Sequence, residues 1–221
     1  MGCLGQSSAT TGEGNNNAAS GTEEKKILVV VGPSGVGKDT IMNIEVESNK
    51  DQFKKAVTHT TREKRKGEKE GVNYYYVSKD EFTKMKENNE LVESNEYNGN
   101  YYGLSVKELQ NGLKSDKILY CIIDINGANA IKKLNIPANY VSILPPSEEE
   151  LKKRLEERKT ETKEQINKRL ETAKSELKAI KNNALFNIQV VNNDLRTAAS
   201  DLQKQLANYY PQIKVTVGSS S

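Results

Sequence analysis

The sequence ILVVVGPSGVGKDT at residues 27–40 joins a short apolar run to a glycine-rich segment that contains a lysine. The run Ile27–Val31 is continuously apolar, which predicts a strand buried on both faces of a parallel sheet. The segment that follows fits the pattern G-x-x-x-x-G-K, in which backbone N–H groups and a lysine bind phosphate groups. We therefore expect a strand, a phosphate-binding loop and a helix, in that order.

The residue after this lysine departs from the usual pattern. Ser or Thr normally follows the lysine and ligates Mg²⁺ through its hydroxyl, whereas here Asp39 follows Lys38 and Thr40 comes next. The Asp39 carboxylate is a candidate metal ligand that also brings negative charge close to nucleotide phosphates, and the Thr40 hydroxyl is the alternative ligand. A purely structural glycine turn is the competing interpretation, and the spacing of Lys38 and both glycines disfavours it.

Further apolar runs rich in Ile and Val occur at residues 118–125, 140–144 and 188–191. Between the runs, the S/T-x-x-E/Q pattern of a helix start recurs at Ser78, Ser105, Ser147 and Thr162. Strands that alternate with helices predict an α/β fold, and we expect a single three-layer domain built on a parallel sheet.

The last of these helices carries one apolar face at spacings of four and three residues, formed by Ile166, Leu170, Ala173, Leu177 and Ile180. A coiled coil is one interpretation, but the stripe spans only two heptads. We expect this helix to lie on the sheet instead.

The charge is mild and unevenly distributed. The 221 residues include 33 Lys and Arg and 30 Asp and Glu, a net charge of +3, while residues 1–24 contain three Glu and no Lys or Arg. A mixed surface without a basic stripe argues against nucleic acid as a partner. Residues 1–24 are rich in Ser, Thr, Gly and Asn, which predicts a disordered tail, followed by a folded domain at 25–215 and a flexible C-terminus at 216–221.

The N-terminus offers two acylation sites. Gly2 is available for myristoylation after removal of the initiator methionine, and Cys3 for palmitoylation, and two acyl chains would anchor the chain to a membrane. Gln6 stands where the myristoylation pattern has Ser or Thr. No apolar run reaches the roughly 20 residues that cross a bilayer. We expect a cytoplasmic protein that is a monomer, with membrane association only if Gly2 and Cys3 are acylated.

More motifs follow the phosphate-binding loop in a fixed order. They are TTR at 60–62 with Arg65, GE at 67–68, NY at 73–74, Glu93, GNYYG at 99–103, IDI at 123–125, PPS at 145–147 and LKKRL at 151–155. With the loop, this series resembles the guanylate kinase family, whose members transfer the γ-phosphoryl group of ATP to GMP with Mg²⁺. The resemblance covers most of residues 26–210. It implies a P-loop NTPase fold with a small GMP-binding insert at 58–104 and a helical lid at 145–165.

The resemblance also implies the site residues. Two guanidiniums and two phenols hold the GMP phosphate, while Glu93 accepts the guanine N1–H and 2-amino group. The GMP set is Thr58, Arg62, Arg65, Glu68, Tyr74, Glu93, Tyr102, Asp124 and Asn126. The ATP set is Gly32, Pro33, Ser34, Gly35, Val36, Gly37, Lys38, Asp39, Thr40 and Asn193. The catalytic cations are Lys38, Arg154, Arg158 and Arg169, and the Mg²⁺ ligands come from Asp39, Thr40 and Asp124.

Two departures from the family pattern fall in the acceptor site. Leu104 replaces a Ser or Thr, and Asn126 replaces the second Asp of an Asp-Ile-Asp motif. Two other interpretations therefore stay open: another P-loop kinase of a small phosphorylated substrate, and a guanylate-kinase-like module that has lost catalysis and docks a protein partner. Lys38, Asp124 and the lid arginines favour the enzyme, because a docking surface needs neither a phosphate-binding loop nor a lid.

Overall fold

A computed structural model describes residues 25–97, 99–157 and 163–215. Outside these ranges lie the predicted tail with Gly2 and Cys3, residues 216–221, and the lid residues Arg158 and Thr162. Every helix within the described ranges is too short or too polar to cross a bilayer. In chain order the elements are β1 (Ile27–Val31), α1 (Lys38–Ser48), β2 (Phe53–Lys55), β3 (His59–Thr60), β4 (Tyr75–Tyr76), α2 (Lys79–Glu87), β5 (Leu91–Tyr97), β6 (Asn100–Ser105), α3 (Val106–Leu113), β7 (Ile118–Ile122), α4 (Ile125–Lys133), β8 (Ala138–Leu144), α5 (Glu148–Glu156), α6 (Lys163–Lys181), β9 (Ile188–Val191) and α7 (Leu195–Ala207).

The larger sheet has five parallel strands in the order β2-β7-β1-β8-β9. The central strand β1 alternates its side chains between two core clusters. Leu28 and Val30 face a cluster shared with α1 and α7, and Ile27 and Val29 face a cluster shared with α3 and α4. Both faces of the strand are thus covered by helices, which confirms the α/β fold predicted from its continuous apolar run.

The smaller sheet has four strands in the order β4-β3-β6-β5, and they coincide with the predicted insert at 58–104 except that β6 extends to Ser105. Tyr101 stacks on Phe82 of α2 with ring centroids 5.5 Å apart. His59 packs on Tyr75 with ring centroids 4.8 Å apart. These contacts give Tyr101 and His59 packing roles in the small sheet.

The apolar run at 118–125 is not one strand. The strand β7 ends at Ile122, and Asp124 begins α4 by accepting a hydrogen bond from the Gly127 backbone N–H at 2.8 Å. The carboxylate satisfies an N–H group that has no partner within the helix, so the apolar run changes from strand to helix at this residue.

Only one predicted capping box within the described ranges is complete, that of Ser78 with Glu81. Ser105 and Ser147 do accept the backbone N–H three residues later. Their partner carboxylates bind elsewhere: Glu108 accepts hydrogen bonds from the Val57 N–H and the Tyr75 hydroxyl, and Glu150 from Arg154 Nε. In both helices, therefore, the carboxylate that would complete the box accepts hydrogen bonds from other donors.

The apolar stripe of α6 packs on the core as predicted. Ile166, Ala173 and Leu177 are buried in the cluster shared with α1 and α7, and Leu170 is partly buried against it. Ile180 is buried in the other cluster. Charged residues of α6 that flank this stripe are thereby held close to the sheet, and two of them reach the phosphate-binding loop.

Candidate active site

The phosphate-binding loop connects β1 to α1 and is tightly turned. Gly35 and Gly37 have φ angles of 87° and 96°, a region that favours glycine. A Cβ at Gly35 would stand 2.6 Å from Leu155 of α5, so this helix of the predicted lid approaches the loop closely. The Lys38 ammonium donates to the carbonyl oxygens of Gly32 at 2.6 Å and Pro33 at 3.1 Å. The loop therefore encloses a fixed cation.

A cavity of about 480 Å³ lies beside this loop, and we call it the donor groove. It is lined by Gly35, Val36, Gly37, Thr40, Arg154, Glu157, Asn192, Asn193, Asp194 and Leu195. The predicted ATP residue Asn193 and the predicted lid residue Arg154 thus meet in one place. The Arg154 guanidinium donates to the backbone carbonyls of Asn192 at 2.9 Å and Asn193 at 3.1 Å.

Asn192 lines the donor groove and also contacts the phosphate-binding loop. Its side chain is buried and donates to the Val36 carbonyl at 2.7 Å. A Cβ at Gly37 would stand 2.7 Å from the same amide nitrogen, so only glycine leaves room for this contact. Asn192 is therefore a structural residue of the site.

A second contact to the loop comes from α6. Arg169 donates from its guanidinium to Ser34 Oγ at 2.6 Å, and Glu176 Oε2 accepts from the Ser34 backbone N–H at 3.3 Å. The predicted catalytic cation Arg169 therefore reaches the loop directly. Glu176 was not predicted, because a glutamate in a highly charged helix looks like a solvated residue.

A second cavity, of about 420 Å³, borders the first turn of α1 at Asp39, and we call it the acceptor cavity. Its lining residues are Asp39, Lys55, Ala56, Thr58, Val72, Asn73, Tyr74, Cys121, Ile122 and Ile123. The structure thus places Thr58 and Tyr74 together, as predicted for GMP. Lys55 was not predicted; its Nζ lies 3.9 Å from the Asp39 carboxylate, and both side chains are largely exposed.

Beside this cavity, Arg62 is held in place by Glu68. The guanidinium donates to both Glu68 oxygens, at 2.8 and 3.1 Å, and lies 5.3 Å from the centre of the Tyr74 ring. Glu68 Oε2 also accepts from the Arg65 backbone N–H at 2.8 Å and the Tyr76 hydroxyl at 2.7 Å. The Arg62 guanidinium, helped by these other donors, lowers the pKa of the Glu68 carboxyl to about 2. Glu68 therefore acts on the site through Arg62.

The aromatic ring of Tyr102 completes this group. Its centroid lies 6.0 Å from that of Tyr74, and its hydroxyl interacts with Arg62. Arg65 is exposed, and the contact that places it here is its backbone N–H on Glu68. The Arg62 guanidinium and the phenols of Tyr74 and Tyr102 thus lie together. Arg65, the second predicted guanidinium, lies at the edge of this group.

Glu93 is the buried carboxylate of the site. Its Oε2 is shielded from solvent and has no hydrogen-bond partner within the described part of the chain. Burial, together with the nearby Asp124 carboxylate, raises the pKa of Glu93 to about 7. A buried acceptor without a partner is costly unless a ligand supplies the donor.

The two departures in this region have different surroundings. Leu104 is fully buried and packs in the core cluster that contains Val92 and Ala128. Asn126 is exposed in the first turn of α4. Leu104 thus adds apolar packing where the family pattern has a hydroxyl. Because residue 126 is an amide, Asp124 is the carboxylate whose charge acts on Glu93.

The predicted metal ligands are hard oxygen donors near the loop, which suits Mg²⁺. Asp39 and Thr40 are exposed in the first turn of α1, and one oxygen of Asp124 is used in capping α4. No group of three or more His, Cys, Asp or Glu side chains in the described ranges is arranged to hold a metal ion. Mg²⁺ commonly takes only one or two protein ligands and completes its shell with water and substrate phosphates, so the donors present fit this ion.

Comparisons with known proteins agree on one family. A family profile described as guanylate kinase matches residues 24–209. A guanylate kinase from Schizosaccharomyces pombe is 37% identical over 182 residues, which cover 82% of this chain and 90% of that protein. One from Trichormus variabilis is 37% identical over 201 residues, covering 91% and 96%. A crystal structure of guanylate kinase from Anaplasma phagocytophilum matches with a TM-score of 0.56 at 31% identity, covering 85% of this chain and 86% of that one.

Proposed function

The chain belongs to the guanylate kinase family and is a nucleoside monophosphate kinase, and we propose that it transfers the γ-phosphoryl group of ATP to GMP across the first turn of α1. One observation carries this proposal. Asp39 lines the acceptor cavity and the next residue, Thr40, lines the donor groove. The two cavities therefore flank the helix turn that follows Lys38, as transfer between two bound nucleotides requires.

On the donor side, the loop N–H groups and the dipole of α1 bind the ATP phosphates. The Lys38 ammonium already lies within the loop, so it binds phosphate oxygens with little rearrangement. Arg154 enters from the lid helix α5 and exchanges its carbonyl partners for phosphate oxygens. Phosphoryl transfer needs little covalent help from the protein, so the position and charge of these groups carry the rate.

On the acceptor side, Arg62 binds the GMP phosphate together with Tyr74 and Tyr102. A guanidinium offers two parallel donors to a phosphate, and here Glu68 fixes its plane. Glu93 accepts the guanine N1–H and 2-amino group, two adjacent donors that adenine lacks. Thr58 donates to guanine O6. A site of this kind discriminates by leaving its own buried groups without partners when the wrong base enters.

Mg²⁺ is the proposed cofactor, held by Thr40 or Asp39 with Asp124 nearby. When bound, it neutralises charge that develops on the phosphates during transfer. The protein residues bind and orient the two substrates, and the buried walls around Glu93 exclude water from the base.

A coupled assay of ADP formation with ATP, Mg²⁺ and one of GMP, AMP, UMP or CMP tests the function. We expect GMP to be preferred over AMP by up to about 10⁴-fold in kcat/KM, with Leu104 reducing that margin because it offers no hydroxyl. Equal turnover of GMP and AMP would refute the assignment of the acceptor. Binding of GMP without turnover would favour the docking module instead.

A further inference from the structure

Two side chains of α6 contact one residue of the phosphate-binding loop. The Arg169 guanidinium donates to the hydroxyl of Ser34 at 2.6 Å, and Glu176 accepts from the backbone N–H of Ser34 at 3.3 Å. Arg169 and Glu176 are seven residues apart, so they lie on the same face of the helix two turns from each other. Ser34 is thereby held from both its side chain and its backbone by a single helix.

The helix that makes these contacts has a fixed position. Ala173, between Arg169 and Glu176 in sequence, is fully buried, and Leu177 next to Glu176 is buried as well. A helix packed this closely on the core transmits its position to the loop. The loop cannot move away from Arg169 without breaking the contact between Glu176 and Ser34.

The charge of Glu176 fits this place. Burial raises the pKa of the Glu176 carboxyl, and the Ser34 N–H and the Lys38 ammonium act in the opposite direction. The carboxylate thus lies in the field of the lysine that the loop encloses, while the Lys38 ammonium itself donates to loop carbonyls.

We propose that Glu176 is a positioning residue for phosphoryl transfer, which ties the phosphate-binding loop to α6 so that the loop and Arg169 keep one relative placement. This inference rests on the proposed function, because Arg169 and the loop serve ATP in that function. Glu176 acts through Ser34 and does not contact the substrates. The hydrogen bond to the Ser34 N–H is the essential contact, so an acceptor of the same length can replace the carboxylate.

The test compares Glu176→Ala with Glu176→Gln in steady-state kinetics. Misplacement of a catalytic element by about 1 Å can cost on the order of 10²-fold in rate, so we expect kcat of Glu176→Ala to fall roughly 10- to 100-fold. The KM for GMP should stay within about twofold, because neither Glu176 nor Ser34 lines the acceptor cavity. Glu176→Gln keeps an oxygen acceptor and should retain most of the wild-type kcat.

The matched control is Glu171→Ala on the same helix. The Glu171 side chain is 76% exposed and pairs with Lys174 across the helix surface, so its loss should leave all kinetic constants unchanged. Melting temperatures show whether each variant is folded; alanine favours the helix at position 176. If Glu176→Ala does not fold, Glu176→Asp, whose carboxylate is withdrawn by one methylene, should show the same loss of kcat.

Three results would overturn the proposal. They are wild-type turnover in Glu176→Ala, equal loss in Glu176→Gln and Glu176→Ala, which would assign the effect to charge, and a change confined to the KM for GMP. Titration with a fluorescent ATP analogue separates this inference from the proposed function. Wild type that fails to turn over GMP would refute the function, while weaker binding of the analogue by Glu176→Ala, restored in Glu176→Gln, would still support the positioning role.

Discussion

The backbone of Gly127 lies directly against the carboxylate of Glu93: a Cβ added at Gly127 would stand 2.7 Å from Glu93 Oε2. Gly127 is in the first turn of α4, whose Asp124 cap accepts the Gly127 N–H. The Glu93 carboxylate, which is proposed to bind guanine, therefore occupies this position because residue 127 of the neighbouring helix is a glycine. The atom that must give way is the flexible end of Glu93, not the backbone.

The variant Gly127→Ala should weaken GMP binding without lowering the stability of the fold. The added methyl displaces the Glu93 carboxylate, so we expect the KM for GMP to rise about tenfold, since one lost hydrogen bond to a charged group is worth roughly 1.5–3 kcal/mol. The melting temperature should be unchanged or higher, because Ala is more favourable than Gly inside a helix by roughly 0.5–1 kcal/mol. Lys133→Ala, exposed on the same helix, is the control. An unchanged KM would show that Glu93 does not bind GMP.

The affinity for GMP should depend on pH through Glu93. Only the ionised carboxylate accepts both guanine donors, and burial beside Asp124 raises the pKa of Glu93 to about 7. Above this pKa the binding form is present; below it the affinity should fall by up to about tenfold per pH unit. Calorimetric titration of GMP between pH 6 and 8.5 measures this change. The phosphate of GMP titrates in the same range, so Glu93→Gln provides the reference: its weaker binding should lose most of the pH dependence, and equal slopes would contradict the assignment.

Some strands could be predicted from sequence because their residue types favour a single type of secondary structure. The strands β1 and β9 match the bounds of their apolar runs. Only β1 is covered on both faces, as its continuous apolar residues predict; β9 lies at the sheet edge and leaves Gln189 and Val191 exposed. The strands β3 and β4 have two residues each, which is too short for any periodicity to show. The run at 118–125 hid a change from strand to helix, because Ile is compatible with both and only Asp124 marks the boundary.

The site was predicted unevenly for a similar reason. Lys38 and the glycines follow from their spacing alone, whereas the acceptor residues came from a family resemblance. Glu176 and Lys55 were missed because their contacts join distant parts of the chain, such as Ser34 and Glu176. The only trace of Glu176 in the sequence is that it flanks an apolar stripe seven residues from Arg169, on the same helix face.

The donor side should be separable from the acceptor side by mutation. Lys38→Ala and Arg154→Ala each remove a cation from the loop or the donor groove, and we expect kcat to fall by about 10²-fold or more because such cations stabilise the transferred charge. GMP binding, measured by calorimetry without ATP, should stay within about twofold of wild type. Wild-type kcat in either variant would remove that residue from the mechanism.

Stability should depend on pH through Glu45, which is buried on α1 far along the helix from the loop. Burial raises the pKa of Glu45 to about 7, although Asn49 and Gln203 donate hydrogen bonds to it. The folded state therefore binds the proton more tightly than the unfolded state, so the contribution of Glu45 to stability is full below about pH 4.5 and is lost as the pH rises to about 7.

The isosteric variant Glu45→Gln should remove this loss. We expect its free energy of unfolding at pH 8 to exceed that of wild type by about 1–3 kcal/mol, with little difference at pH 5. Urea denaturation at the two pH values measures both quantities. The exposed variant Glu47→Gln on the same helix should show no such difference. Equal stability of Glu45→Gln and wild type at pH 8 would mean that the carboxyl is not destabilised by burial.

The activity should depend on Mg²⁺ through Asp39. This carboxylate stands next to Lys38 at the turn between the two cavities, where it repels substrate phosphates unless a cation lies between them. Lys55 is 3.9 Å away, but both side chains are more than half exposed, and an exposed ion pair of this kind neutralises only part of the charge.

The variant Asp39→Ser removes the repulsion and restores a hydroxyl ligand. We expect it to need roughly three- to tenfold less Mg²⁺ for half-maximal activity, and to bind ATP more tightly in the absence of Mg²⁺. Lys55→Ala should act in the opposite direction, because it removes the cation that partly balances Asp39. The measurement is a Mg²⁺ titration of initial rates at fixed ATP and GMP, with EDTA-treated protein at the start. Superimposable titrations for wild type and Asp39→Ser would show that Asp39 does not face the phosphates, and would leave Thr40 as the residue of α1 that serves the metal.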